Sequence, residues 1–128
     1  ILKLNDSEVE ILSELVGLPP NPNDFLETVF QKFPLEICVV TLGENGVIAR
    51  HRKGNIITVP GYSVQVCDTC GAGDAFTAGF MHSYFNRASL EESCLFGNAL
   101  GALVAATEGA TTPITLKQIE DLKSSQIR

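Results

Sequence analysis

The stretch Asp68-Thr69-Cys70-Gly71-Ala72-Gly73-Asp74 constrains this chain more than any other. Ahead of it, Val64-Gln65-Val66 alternates β-branched residues and reads as a short strand. Behind it, the apolar residues of Ala75-Phe76-Thr77-Ala78-Gly79-Phe80-Met81 fit one face of a helix. A strand therefore breaks into a Gly-rich turn and re-emerges as a helix. Glycine at 71 and 73 opens backbone conformations closed to other residues and lets a ligand approach the main chain. The N–H groups of residues 71 to 74 then converge at the positive end of a helix dipole, which makes an anion site. An aspartate there should repel the anion. Its placement makes sense if Asp74 takes a proton from whatever attacks that anion.

The segment resembles the signature of the ribokinase-like (phosphofructokinase B-type) carbohydrate kinases, Asp-Thr-x-Gly-Ala-Gly-Asp, and every defined position is matched. The resemblance implies that Gly71, Ala72 and Gly73 form an anion hole for the transferred phosphoryl group and that Asp74 is the catalytic base. The plain alternative is a Gly-rich helix start with a solvent-facing Asp, which dipole complementarity alone would favour. Two rival motifs fit worse. No Gly-x-x-x-x-Gly-Lys-Ser/Thr is present, and Phe76 stands where a dinucleotide fingerprint wants glycine.

A chain of 128 residues, 45% of them hydrophobic, can hold one domain with a real core. Its net charge of −6 and lack of a basic run disfavour nucleic acid and anionic membranes as partners. No apolar stretch is long enough to span a bilayer. The chain opens at Ile1 inside a strand-like run, so it reads as an excised piece. The resemblance implies that residues 1–128 are the C-terminal ATP-binding and catalytic part of a kinase domain whose N-terminal sugar-binding part is absent. Such a piece would show an exposed apolar sheet edge, which favours self-association or a homodimer.

Of the four cysteines, Cys38 lies in an apolar strand run and Cys94 in an apolar helix, where cysteine acts as a small hydrophobe. Cys67 and Cys70 form a Cys-x-x-Cys without the second pair a zinc site needs, and His51 and His82 lack ligand spacing to them. Reduced thiols in a cytoplasmic protein are the expectation.

From the start, Ile1 to Leu4 reads as the end of a buried strand. Asn5-Asp6-Ser7-Glu8 is a helix start, and Val9, Ile11, Leu12, Leu15 and Val16 form an apolar stripe ended by Gly17 and Pro19-Pro20. Asn5 and Glu8 match the family's Asn-x-x-Glu motif, which acts near Mg²⁺ and the phosphates. A cap with a first-turn acid is the ordinary reading of the same residues. A second helix spans Asn21 to Phe33, with Phe25, Leu26, Val29 and Phe30 inward. Ile37-Cys38-Val39-Val40 reads as a central strand buried on both faces. Thr41, Gly43 and Gly46 resemble the family's Thr-x-Gly-x-x-Gly segment at the nucleotide, while Asn45-Gly46 is also an ordinary turn signal. Residues 46–52 and 55–59 read as an antiparallel hairpin about Lys53-Gly54.

Beyond the signature helix, Ser89 and Glu92 form a capping box for a helix with an unusually small-residue face. Asn98 on that helix is either a satisfied core amide or, as the family pattern implies, part of the adenine pocket. Glu108 to Pro113 resembles the family's Gly-Ala stretch, so Gly109 and Ala110 join the nucleotide-binding candidates. Asp68 is the matching carboxylate for a monovalent cation such as K⁺. Residues 115–125 read as a terminal amphipathic helix.

Alternating buried strands and helices imply a layered α/β fold, a mostly parallel sheet flanked by helices with a short antiparallel hairpin. The resemblance implies a ribokinase-like fold, incomplete here, and transfer of phosphate from ATP with Mg²⁺ to a small-molecule sugar of fructokinase or ribokinase type. Asp74 would accept the hydroxyl proton, or chiefly orient the hydroxyl if that proton leaves late. Two readings of other classes stand beside it: a nucleotide-binding or interaction module without catalysis, and a dithiol metal module.

Overall fold

The computed structural model describes residues 1–107 and 113–126. They divide into two compact units, Ile1–Pro60 and Gly61–Arg128. In the first, β1 (Leu2–Asn5) leads into helix α1 (Asp6–Val16), then α2 (Pro22–Lys32) and β2 (Ile37–Thr41). A 3-10 turn at Gly43–Asn45 connects β2 to β3 (Val47–His51), and β4 (Ile57–Val59) closes the sheet.

The strand order is β1-β2-β3-β4. β1 runs parallel to β2, with Leu2 opposite Cys38 and Asn5 opposite Thr41. β2–β3 and β3–β4 are antiparallel. The sheet is thus mixed, and its parallel part is the β1–β2 pair joined through two helices, the crossover that parallel pairing requires. The expected hairpin is present as β3–β4, while β2 and β3 form a second one around Leu42–Gly46.

Alternation along the strands sorts the core. Cys38, Val40 and Ile48 join Val9 of α1 and Phe25, Leu26, Val29 and Phe30 of α2 in one buried cluster. These are the inward positions the periodicity of α2 predicts. Ile37, Val39, Val47 and Ala49 alternate with them and are buried as well, so β2 is covered on both faces. The α1 stripe is only half right: Val9 is buried, but Ile11 and Leu15 are 63% and 76% exposed. Gly17 ends α1 in the left-handed region at φ 70°, donating to the Ser13 carbonyl. Two arginines of the β3 hairpin clamp α2. Arg50 donates to the Leu26 carbonyl at 3.0 Å and lies 5.1 Å over the Phe30 ring, and Arg52 donates to the Phe30 carbonyl at 2.7 Å.

The second unit holds α3 (Ala72–Phe85), α4 (Leu90–Ala105) and α5 (Leu116–Gln126). Along α3, Phe76, Phe80 and Tyr84 stack at four-residue spacing, with ring centroids 6.1 Å and 5.8 Å apart. α4 starts at the expected capping box, Ser89 Oγ accepting from Glu92 N–H and Glu92 Oε2 accepting from Ser89 N–H. The strand expected at Val64–Val66 does not form: residues 61–66 belong to no strand among the described residues. The backbone donors just after them are committed elsewhere. Cys67 and Asp68 both donate to the Ala105 carbonyl, at 2.8 and 3.0 Å, so α4 holds this segment in place of a sheet neighbour. Val64 to Cys67 line an open groove with Ala106 instead.

Among the described residues, no helix is long and apolar enough to cross a membrane.

Candidate functional site

The candidate residues form two sets, one in each unit. In the first unit, Asn5 ends β1 and caps α1. Its Oδ1 accepts from Glu8 N–H at 2.8 Å, and Glu8 Oε2 accepts from Asn5 N–H at 2.8 Å. Thr41, the register partner of Asn5, ends β2 and reaches the Leu4 carbonyl at 3.4 Å through Oγ1. Parallel pairing thus brings Asn5, Glu8 and Thr41 to the C-terminal edge of β1–β2, where open α/β sheets bind ligands. The turn after β2 is built on glycine. Gly43 takes φ 59°, and Gly46 takes φ 94° with ψ −137°, a conformation essentially restricted to glycine. A Cβ at Gly43 would meet nothing within 4 Å, so backbone conformation and not crowding requires glycine there.

In the second unit, Asp68 Oδ1 accepts from Cys70 N–H at 2.9 Å, which folds the signature back on itself as an Asx turn. Ala72 N–H donates to the Thr69 carbonyl at 3.2 Å. One of the four N–H groups expected to converge on an anion is therefore engaged inside the turn. Gly71 is the N-cap of α3 in the left-handed region, φ 80°, and no side chain caps the helix. Gly73 and Asp74 follow in the first turn, whose N–H groups have no acceptor within the helix. Both are exposed. Gly71, Ala72, Gly73 and Asp74 thus meet at one uncapped helix N-terminus, suited to an anion beside a carboxylate. Asn98 is half-buried on α4. Gly109 and Ala110 lie outside the described residues.

Among the described residues no group of three or more His, Cys, Asp or Glu is gathered as a metal cluster. Glu8 and Asp68, the acidic metal candidates, belong to different units. All four cysteines are free thiols, Cys38 and Cys94 buried, Cys67 and Cys70 exposed. Burial pushes the Cys38 and Cys94 thiols up to about 12.

Reading the sequence missed the support beneath the turn. Gly101 and Ala105 of α4 contact its two flanks. Their only trace in sequence was the small-residue face of that helix.

Comparison with known proteins gives a consistent result. The family model described as pfkB family carbohydrate kinase matches residues 1–117. A ribokinase of Haemophilus influenzae is 32% identical over 118 residues, covering 92% of this chain and 38% of the relative. Fructokinase-1 of Oryza sativa is 33% identical over 132 residues, covering 96% of this chain and 38% of the relative. Among solved structures, the ribokinase of Thermotoga maritima superposes with a TM-score of 0.85 at 26% identity, over 96% of this chain and 41% of that one. Arabidopsis thaliana ribokinase, solved with ribose and ATP, gives 0.82 at 29% identity, over 95% and 40%. The chain therefore spans well under half the length of these relatives.

Proposed function

Since this chain belongs to the pfkB family of carbohydrate kinases, we propose that it is the nucleotide-binding and catalytic-base part of an enzyme that phosphorylates a sugar hydroxyl from ATP in the cytoplasm. The observation that carries the reading is the uncapped N-terminus of α3, with Gly71 at φ 80° and Asp74 in the first turn. Backbone N–H groups without helical acceptors suit a phosphoryl group in flight, and a carboxylate beside them suits a hydroxyl that must lose its proton. Phosphoryl transfer has a loose transition state, so the protein acts mainly by positioning and by stabilising charge.

Thr41, Gly43 and Gly46, at the end of β2, are the proposed contacts to the nucleotide, together with Asn98, Gly109 and Ala110. The donor set fits a hard cation: Asn5 and Glu8 offer oxygen ligands at the strand edge, and Asp68 offers another for K⁺. Mg²⁺, when bound, would neutralise phosphate charge. The sugar contacts are assigned to the portion of the relatives that this chain does not span.

The test is Asp74→Asn in the longer protein that carries this chain. It keeps shape and hydrogen bonding but cannot accept a proton. Turnover should fall about 10²–10⁴-fold, the range for losing a general base, and the loss should appear in kcat. ATP affinity should hold or improve, because a negative charge beside the phosphates is gone. Near-normal kcat in a folded Asp74→Asn protein would leave Asp74 a helix-terminal acid and favour a nucleotide-binding module without catalysis.

A further inference from the structure

Helix α4 meets the signature turn from both sides. Upstream, the Ala105 carbonyl accepts from both Cys67 N–H and Asp68 N–H, at 2.8 and 3.0 Å. Downstream, α3 lies against Gly101 so closely that a Cβ there would stand 3.0 Å from the Ala72 carbonyl oxygen. One turn earlier on α4, a Cβ at Gly97 would stand 2.7 Å from the Phe76 carbonyl and 3.1 Å from the Phe80 nitrogen. Gly97, Gly101 and Ala105 are spaced by four and share one helix face. The nearest α3 atoms to Gly97 and Gly101 are backbone, with the Phe76 side chain next. Backbone cannot rotate aside as a long side chain does, so added volume must displace the helix itself.

We infer that Gly101 and Ala105 are positioning residues for the anion turn. Gly101 sets how deeply Ala72 seats, and the Ala105 carbonyl fixes the chain as it enters the turn through Cys67 and Asp68. Together they hold the relative placement of Asp68, the Gly71–Gly73 backbone and Asp74. The inference rests on the kinase reading for what the turn binds, but the positioning itself concerns backbone contacts within this unit. Phosphoryl transfer is sensitive to such placement, because reacting groups must sit in a near-attack arrangement.

The experiment compares Gly101→Ala with Gly79→Ala in the longer protein. Gly79 lies in the same helix pair, where a Cβ would meet Gly97 Cα at 3.1 Å and Leu100 Cδ2 at 3.2 Å, nearly two turns along α3 from Ala72. Gly101→Ala should lower kcat about tenfold or more, with KM for the sugar changed less than about twofold, since misplacement of this kind is felt in the chemical step. It should also move the backbone amide resonances of residues 71 to 74. Gly79→Ala should lower the melting temperature comparably, yet keep kcat within about twofold and leave those resonances in place.

Cys67→Pro removes one donor to Ala105 without adding volume between the helices. It too should reduce kcat and shift residues 71 to 74. Should Gly101→Ala not fold, Cys67→Pro decides, and wild-type kcat with unmoved amides would overturn the inference. Equal losses in Gly101→Ala and Gly79→Ala would overturn it as well, by reducing the effect to stability. If the wild-type protein shows no sugar-dependent ATP turnover, the kinase reading fails, while the amide resonances of the three variants still judge the positioning.

Discussion

Asn5 and Glu8 hold each other reciprocally, each side chain accepting the other's backbone N–H at 2.8 Å. The pair satisfies two donors at the start of α1 while standing at the C-terminal edge of the parallel strands. Cap and proposed metal ligand are therefore the same two residues. The roles can be separated, because a cap needs hydrogen-bond acceptors and Mg²⁺ favours a charged carboxylate. Glu8→Gln should keep thermal stability within about 0.5 kcal/mol, since Gln also closes a capping box. It should raise the Mg²⁺ concentration needed for half-maximal turnover in the longer protein. Asn5→Ala should cost about 1 kcal/mol in chemical denaturation. Unchanged Mg²⁺ dependence in Glu8→Gln would leave the pair as a cap alone.

Arg50 supports the sheet from which that edge projects. Its Nε donates to the Gly54 carbonyl at 2.9 Å and its Nη1 to the Leu26 carbonyl at 3.0 Å, over the Phe30 ring. Arg50→Met should destabilise the fold by about 1.5–3 kcal/mol, the range for hydrogen bonds made by a charged group. Lys should not rescue it, because one ammonium cannot reproduce the planar fork. The ion pair with Glu27 is long, at 3.8 Å, and Glu27 is largely exposed. Glu27→Gln should change stability by less than about 0.5 kcal/mol. Urea unfolding of the three variants checks the order.

Cys38 and Cys94 give the fold an alkaline limit. Burial holds both thiols protonated up to about 12, whereas the ordinary value is 9.0. Between those values the unfolded chain has released protons that the folded chain keeps. Their contribution is complete below about pH 9 and is lost as pH rises toward about 12, on the order of 1 kcal/mol per pH unit for each thiol. The urea midpoint should therefore fall between pH 8 and pH 10.5, and less steeply in Cys38→Ala or Cys94→Ala. In the native state at pH 8, a thiol reagent should label Cys67 and Cys70 rapidly and the buried pair only on unfolding. A midpoint with the same slope in all variants would contradict the assignment.

The 128 residues alone should bind ATP without supporting sugar-dependent ATP turnover. The relatives they match are more than twice as long, and the sugar contacts are proposed to lie in that further length. ATP-dependent thermal stabilisation and a coupled assay on the purified chain test both halves. Turnover of a sugar by this chain alone would place the acceptor site within it.

Much was legible in the amino-acid order because the relevant physics is local. A Gly-x-Gly turn between polar residues and an apolar helix specifies an uncapped helix start, and Gly71 at φ 80° occupies it. Capping boxes at Asn5–Glu8 and Ser89–Glu92, the α2 core positions and the β3–β4 hairpin likewise depend on residues a few positions apart. The exposure of Ile11 and Leu15 was not legible, since an apolar stripe does not say which of its members meet a partner. Nor was the fate of Val64–Val66. A strand exists only where another strand supplies its hydrogen bonds, and here the following amides bond to the end of α4. Tertiary structure alone decided that β2 pairs parallel on one side and antiparallel on the other, and that Gly101 lies beneath Ala72. The parallel β1–β2 pairing joins residues 36 positions apart and the Gly101–Ala72 approach residues 29 apart, while even the β2–β3 partners lie 6 to 14 apart, and periodicity along a chain encodes none of these.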